Sequence, residues 1–139
     1  MANGRIAVVT GAAGGIGQSV VARLVADGFH VAAVDINEGA MDALIAKSST
    51  SVTPYLCDQT DEAETIAVVN KIESGLGPIH ALVNTIGWCD TTRFMEEDSA
   101  YWRKIIAINL ESILYVTYPV LEKMIERQSG TVVNFSSDA

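Results

Sequence analysis

A glycine-rich segment near the start of this 139-residue chain constrains its fold more than any other feature. Residues 10–17 read TGAAGGIG; they follow the apolar run 6–9 and precede apolar residues at four-residue spacing, which is typical of a helix. A strand, a glycine turn and a helix in this order build a phosphate cradle, because glycines permit close approach and the helix N-terminus attracts negative charge. The segment predicts a nucleotide-binding site at this junction.

Composition and charge narrow the class of protein. With 49% apolar and 19% charged residues, the chain reads as one globular domain spanning residues 1–139. A net charge of −8 without a basic cluster argues against binding to nucleic acid or to an anionic membrane. We see neither a signal peptide nor a membrane-spanning helix in the pattern. We therefore expect a cytoplasmic protein without nucleic-acid or membrane partners.

The cysteines and histidines do not form a recognisable metal site. Cys57 and Cys89 lack C-x-x-C spacing and a nearby histidine, which favours two free thiols over a disulfide or a metal site. His30 and His80 stand apart, near the starts of predicted strands, where we expect them to bond local backbone groups. No metal is predicted.

Short apolar strands alternate with longer helices along the chain. The strands are predicted at residues 5–10, 31–35, 52–57, 79–84 and 131–136. The helices are predicted at residues 16–27, 38–47, 61–74 and 99–127. This alternation implies a doubly wound α/β fold, with helices on both faces of a parallel sheet. Because sheets tolerate proline mainly at an edge, Pro54 in the third strand fits the Rossmann-type strand order 3-2-1-4-5.

The end of the chain raises two questions about exposed apolar surface. Pro119 lies inside the last predicted helix and should kink or break it near Tyr115. Apolar residues crowd more than one face of this helix, so either its own domain or a second copy of the chain covers them, and a homo-oligomer is one outcome. A sheet that ends at the fifth strand would leave Val132, Val133 and Phe135 on an open edge.

An acidic residue closes the second predicted strand. Asp35 lies 20 residues after Gly15, where a carboxylate can accept hydrogen bonds from the ribose of an adenosine. A 2′-phosphate would meet a like charge there, at roughly 4 kcal/mol for a pair about 4 Å apart at an effective dielectric of about 20. Ile36 and Asn37 offer no compensating cation, so we predict NAD rather than NADP. The alternative is that Asp35 only caps a turn or helix.

Taken together, these residues and four later segments resemble the short-chain dehydrogenase/reductase family. The first two marks are the G-x-x-x-G-x-G spacing of residues 11–17 and the acidic strand end Asp35. The others, in family order, are the pair Cys57-Asp58, LVNTIG at 82–87, INL at 108–110 and GTVVNFSS at 130–137. In the fourth-strand segment, Thr85 and Ile86 replace the asparagine and alanine of the family.

The resemblance implies roles for the matching residues. Its cofactor-binding positions are Gly11, Gly15, Ile16, Gly17, Asp35, Asp58, Asn84 and Gly87. The glycines would line the pyrophosphate, Asp35 would bind the ribose, Asp58 the adenine, and Asn84 and Gly87 would form the wall beside the cofactor. Asn109 would hold a water in a proton relay, and Ser137 would donate a hydrogen bond to the substrate oxygen. Alternatively, Asn84 only satisfies backbone groups and Ser137 caps a helix.

The family also uses a Tyr-x-x-x-Lys pair for proton transfer, and this sequence contains none. We therefore expect an NAD-dependent oxidoreductase that interconverts a secondary alcohol and a ketone, present here as the N-terminal part of a longer protein and inactive alone. Trp88 would line the pocket of this small-molecule substrate, or alternatively pack as ordinary core or loop cover. Two alternatives stay open, namely a non-catalytic nucleotide-binding module completed by another chain and a methyltransferase.

Overall fold

The computed structural model describes residues 4–48 and 50–137 and contains one parallel sheet. Its strands are β1 Ile6–Thr10, β2 His30–Asp35, β3 Val52–Leu56, β4 Ile79–Asn84 and β5 Thr131–Asn134. Its helices are α1 Gly15–Ala26, α2 Glu38–Lys47, α3 Glu62–Gly75, α4 Ser99–Ile106 and α5 Ser112–Arg127. The strand order β3-β2-β1-β4-β5 confirms the predicted doubly wound α/β fold.

The two faces of the sheet carry separate apolar cores. Successive side chains of a strand point to opposite faces, so Val8 and Val9 of the fully buried β1 contribute to different cores. Val8 belongs to a core that α3 and α5 complete, with Ile72 as one of its largest members. Val9 belongs to a core that α1 and α2 complete, with Met41 at its centre. Burial on both faces explains why β1 and the centre of β2 are continuous apolar runs.

The two edge strands match the predicted edge position and exposure at all but one residue. Pro54 lies on β3, which pairs within the sheet only with β2, and this confirms its predicted edge position. At the other edge, Val133 and Phe135 are exposed as expected. Val132 is not, because it packs against the core beneath β4 and β5.

Pro119 does not break the last helix, so of the predicted kink or break near Tyr115 the break is absent. Helix α5 continues through Pro119 to Arg127, and the irregular turn lies earlier, as a π-helical turn at Ala107–Glu111 that joins α4 to α5. Within the part of the chain that the structure describes, Ser99–Arg127 is the one helical segment long and apolar enough to cross a membrane, with a mean hydropathy of 1.3. The absence of a membrane-spanning helix stays a prediction, because the core helix of a soluble protein can have the same length and hydropathy.

Each of the two histidines forms a side-chain hydrogen bond to a residue of a neighbouring strand. His80 Nδ1 accepts a hydrogen bond from the backbone N–H of Ile6 at 3.1 Å, as predicted for a local backbone partner. The partner of His30 differs from the prediction, because its Nε2 lies 2.8 Å from the hydroxyl of Thr53 rather than beside a backbone group. Both histidines thereby tie neighbouring strands together.

Candidate nucleotide-binding site

A cleft of about 560 Å³ opens where β1, β2, β3 and β4 reach their carboxyl ends. Ligands of doubly wound α/β proteins bind at this end of the sheet. The cleft is lined by Gly11, Gly14, Asp35, Ile36, Cys57, Asp58, Gln59, Thr60, Thr85, Ile86, Gly87, Trp88, Lys104, Ala107 and Ile108. Four of the predicted site residues are among them, namely Gly11, Asp35, Asp58 and Gly87. Asn109 follows the lining residue Ile108 in the π-helical turn.

The glycine turn joins β1 to α1 and crosses close to the chain after β4. Gly11 has a φ of +62°, and a Cβ there would lie 3.0 Å from the backbone of Ile86. Gly17 is buried, and a Cβ there would collide with the carbonyl oxygen of Gly11. Gly15 is different, because a Cβ there would meet nothing within 4 Å. Gly11 and Gly17 thus permit close chain packing, while Gly15 leaves open space at the start of α1.

Asp35 is held in place by two backbone donors. Its Oδ2 accepts a hydrogen bond from Ala13 N at 3.0 Å, and its Oδ1 accepts one from Asn37 N at 2.9 Å. The bond to Ala13 N ties the end of β2 to the glycine turn, and the bond to Asn37 N closes a local turn. The alternative that Asp35 caps a turn therefore accounts for part of its role. A carboxylate has about four lone-pair sites, and each oxygen of Asp35 keeps capacity for a further donor.

The segment after β3 brings Asp58, Gln59 and Cys57 to the cleft. Asp58 Oδ1 accepts from the backbone N–H and the hydroxyl of Thr60, at 2.9 and 2.7 Å, which fixes a tight turn. Burial raises the pKa of the Cys57 thiol to about 11, and Thr65 opposes this only in part. Cys57 is therefore a neutral, unreactive thiol at neutral pH.

Gln59 is one of two residues at this site that were not predicted from the sequence. Only 3% of its surface is exposed, yet neither Nε2 nor Oε1 has a hydrogen-bond partner among the residues that the structure describes. Leaving a buried polar group unpaired costs about 1–3 kcal/mol. A single sequence cannot reveal this, because glutamine at a strand end is ordinarily a surface residue.

Asn84 lies inside the protein rather than on the wall of the cleft. It is 1% exposed, and it does not appear among the cleft-lining residues of the described chain. Its Oδ1 accepts from the Thr10 hydroxyl at 3.2 Å, and its Nδ2 donates to Thr117 Oγ1 at 3.2 Å and to Asn134 Oδ1 at 2.8 Å. Asn84 thus bonds side chains of β1, β5 and α5, whereas the alternative reading expected backbone partners.

Asn109 holds the loop after β4 against the π-helical turn. Its Oδ1 accepts from Trp88 N at 2.8 Å, and its Nδ2 donates to Trp88 O at 2.7 Å and to Ile105 O at 3.1 Å. Gly87 lies so close that a Cβ there would be 3.3 Å from Asn109 Oδ1. Both amide hydrogens of Asn109 are used, so a water could bind only at its acceptor oxygens.

Trp88 belongs to an aromatic cluster at the mouth of the cleft. Lys104 Nζ lies 3.8 Å from the centre of the Trp88 ring, within cation–π range, and the Tyr101 ring is 5.6 Å away. Among the described residues that line the cleft, Lys104 is the one with a positive charge. Lys104 was not predicted from the sequence, although it lies four residues before Ile108 and therefore on the same helical face.

The remaining predicted residues lie around the cleft without lining it. Ile16 is 55% exposed in the first turn of α1, next to Gly15 and Gly17. Ser137 is an exposed residue that follows the end of β5 by three positions. The structure therefore brings Gly11, Asp35, Asp58 and Gly87 to one cleft, and it leaves Ser137 beyond the end of the edge strand β5.

The fold and this cleft define a class, that of the Rossmann-type α/β proteins that bind nucleotides. The family within that class follows from comparison. The family model described as short chain dehydrogenase matches residues 5–139, and the chain belongs to that family. The resemblance identified from the sequence is thereby confirmed.

Relatives of known name and solved structures agree with this assignment. The 2-keto-3-deoxy-L-fuconate dehydrogenase of Xanthomonas campestris is 34% identical over 136 residues, which cover 98% of this chain and 44% of that protein. A structure of NAD+-bound xylitol dehydrogenase superposes with a TM-score of 0.92 at 28% identity, covering 98% of this chain and 54% of that one.

A variant of actinorhodin polyketide ketoreductase with NADPH gives a TM-score of 0.92 at 28% identity, covering 99% of this chain and 55% of that one. The chain spans about half the length of the relatives it matches. These relatives are oxidoreductases by name, and the structures include both NAD+ and NADPH complexes.

Proposed function

We propose that this chain is the cofactor-binding part of an NAD-dependent oxidoreductase that interconverts a secondary alcohol and a ketone. One observation carries the proposal, namely that the Asp35 carboxylate borders the same cleft as the glycine turn and is fixed there by Ala13 N. A bound nicotinamide would supply the hydride acceptor or donor. The residues of this chain would bind and orient the dinucleotide.

The cleft fits a dinucleotide in size and in donor chemistry. About 560 Å³ is within the range of small-molecule sites, and the open space at Gly15 lies at the N-terminus of α1, where a pyrophosphate is stabilised. Asp58, across the cleft in the turn after β3, supplies an acceptor for the amino group of adenine in this proposal. Gly87 borders the same space on the β4 side.

The preference for NAD rests on charge and on free lone pairs. Each oxygen of Asp35 accepts one backbone N–H and can still accept a ribose hydroxyl. A 2′-phosphate brings no hydrogen to donate when ionised and would lie beside the carboxylate. The family relatives alone do not decide the cofactor, because NAD+ and NADPH complexes both occur among them.

Isothermal titration with NAD and NADP tests this proposal directly. We expect NAD to bind at least about 10-fold more tightly, which corresponds to about 1.4 kcal/mol. Asp35→Ser should reduce this preference, because it removes the charge and keeps a small hydroxyl acceptor. Equal binding of the two cofactors by the unaltered protein would rule out the proposed specificity, and binding of S-adenosylmethionine in place of both would favour a methyltransferase.

Ser137 and Asn109 are the residues that we propose for the reaction itself. Ser137 would donate a hydrogen bond to the carbonyl or alkoxide oxygen where charge develops. Asn109 would hold a relay water through an acceptor oxygen, because its amide hydrogens are bonded to Trp88 and Ile105. Since the 139 residues contain no Tyr-x-x-x-Lys pair, we expect NAD binding without NADH formation from secondary alcohols.

For the partners and the location of the protein we propose what the sequence predicts. An apolar face that runs along α4, the π-helical turn and α5 supports a homo-oligomer, because large apolar side chains on it are exposed. They are Trp102, Ile106, Leu110, Leu114, Tyr118, Leu121 and Ile125. Sedimentation of the protein would test self-association. A cytoplasmic location, without nucleic-acid or membrane partners, stays a prediction.

A further inference from the structure

We propose that Lys104 selects an alcohol or ketone substrate that carries an anionic group such as a carboxylate. This inference rests on the proposed function and names the substrate class for it. Its starting point is that Lys104 is the one positively charged residue among the described residues that line the cleft. The other charged residues of the lining are Asp35 and Asp58, and the whole chain carries a net charge of −8. Lys104 is therefore a local site of attraction for anions in an acidic protein.

Lys104 lies on the side of the cleft where the substrate would bind. Its Nζ is 3.8 Å from the centre of the Trp88 ring, and Trp88 lies in the loop after β4. Asp35 and Asp58 lie at the ends of β2 and β3, which β1 separates from β4 in the sheet. A dinucleotide bound with its adenosine beside these two carboxylates would place its nicotinamide towards β4. The reacting carbon of the substrate would then lie on the side of Lys104.

The ammonium group of Lys104 keeps its hydrogen-bond donors for a ligand. A lysine has three N–H donors, and no residue that the structure describes accepts a hydrogen bond from Lys104 or forms an ion pair with it. The contact with the Trp88 ring is electrostatic and occupies no acceptor. The Tyr101 hydroxyl lies 3.3 Å from both N and O of Asp90, which holds the loop that carries Trp88 against α4.

A ring beside a cation recognises an apolar body that ends in an anion. The half-buried ring of Trp88 offers apolar surface, and the exposed ammonium of Lys104 lies at its face. Hydrogen bonds from an ammonium to a carboxylate are roughly twice as strong as those between neutral groups. A neutral substrate of the same shape would gain only the apolar contact, so we expect the cleft to prefer the anion.

Binding of two matched pairs of alcohols to the NAD-saturated protein tests this preference. The pairs are lactate with 1,2-propanediol and 3-hydroxybutyrate with 1,3-butanediol, in which a hydroxymethyl group replaces the carboxylate. The chain has two tryptophans, so Trp102→Phe leaves the fluorescence of Trp88 as the readout and keeps an aromatic ring against Phe94. In at least one pair the carboxylate should bind about 10-fold more tightly. This ratio should shrink as salt rises from about 0.05 M to about 0.5 M.

Substitutions at two adjacent basic residues locate the effect. Lys104→Met removes the charge and keeps most of the side-chain length, and it should bring the two members of each pair within about 2-fold of each other. Lys104→Arg should keep the preference. Arg103→Met is the matched control, since it removes the same charge from α4 and Arg103 is not among the described residues that line the cleft. That control should leave the preference unchanged.

The pyrophosphate of the dinucleotide is the other anion that Lys104 can meet, and titration with NAD distinguishes the two. We expect Lys104→Met to change the Kd for NAD less than about 3-fold. A larger loss would assign the ammonium to the cofactor and overturn this inference.

The remaining outcomes separate this inference from the proposed function. If the unaltered protein does not bind NAD, the proposed function fails and this inference fails with it. If NAD binds but neither carboxylate is preferred, or the preference survives in Lys104→Met, the anionic substrate is ruled out and the proposed function stands.

Discussion

At the scale of single residues, two glycines two positions apart show how differently one residue type can act. Gly17 is required by packing, because a Cβ would collide with Gly11 O and lie 2.8 Å from the Cα of Ala12. Gly15 has open space around the position of its Cβ. Their shared motif predicts a phosphate cradle, but the motif does not say which glycine serves the fold and which serves a ligand.

We predict that Gly17→Ala and Gly15→Ala separate these two roles. Gly17→Ala should lower the free energy of unfolding by about 1–3 kcal/mol through overpacking against backbone atoms that cannot rotate away. Gly15→Ala should leave stability unchanged or raise it by up to about 1 kcal/mol, because alanine favours a helix. Urea denaturation of both variants measures this difference.

The same pair also tests the phosphate site. Gly15→Ala should weaken NAD binding despite its intact stability, because its methyl group would occupy the open space at the start of α1. Equal losses of stability in the two variants would contradict the distinction drawn from the Cβ contacts.

At the scale of elements, the junction of α3, α5 and β4 depends on one carboxylate. Glu73 Oε1 accepts from the backbone N–H of Ile79 at 2.9 Å, and Glu73 Oε2 lies 3.1 Å from Arg127 Nη1. Arg127 Nη2 also donates to Ile79 O at 3.0 Å. The first residue of β4 is thus held by the ends of two helices.

We predict that Glu73→Ala lowers the free energy of unfolding by about 2 kcal/mol, since it leaves both a charged group and a backbone N–H without their partner. Arg23→Ala is the control, because the Arg23–Asp27 pair is exposed and lies within one segment. Exposed pairs contribute about 0–1 kcal/mol. Thermal unfolding of both variants compares them, and similar losses would refute the special role of Glu73.

The elements themselves were largely predictable, and the exceptions have a physical cause. Predicted helix 38–47 and strand 79–84 match α2 and β4 in full, because local periodicity and the Asn37 cap mark their bounds. The π-helical turn before α5 was missed, since a shift in backbone hydrogen bonding leaves no mark in apolar spacing. That turn carries Asn109 and its bonds to Trp88.

At the scale of the whole molecule, side chains with a raised pKa set the response to alkaline pH. Burial raises the pKa of Cys57 from 9.0 to about 11, and burial also raises the pKa of Tyr55. The negative charge of Glu111 raises the pKa of Tyr115. In each case the folded protein keeps a proton that the unfolded chain loses.

We predict that stability falls as pH rises from about 9 to about 11, because the folded state binds more protons than the unfolded state in that range. Well below pH 9 the Cys57 thiol is protonated in both states and contributes no slope. Urea unfolding at about pH 8 and about pH 10 measures the decline, and Cys57→Ala should make it shallower. An unchanged slope in that variant would show that Cys57 is not responsible.

The sequence by itself determined the doubly wound fold, the position of the cleft and the family, because strand and helix periodicity, glycine turns and strand ends are local properties of the chain. Only the tertiary structure decided which polar groups pair. Asn84 meets Asn134, 50 residues away, while Gln59 meets no partner in the described chain. Hydrogen-bond partners that are distant in sequence depend on how helices pack on the sheet, and single-sequence patterns do not carry that information.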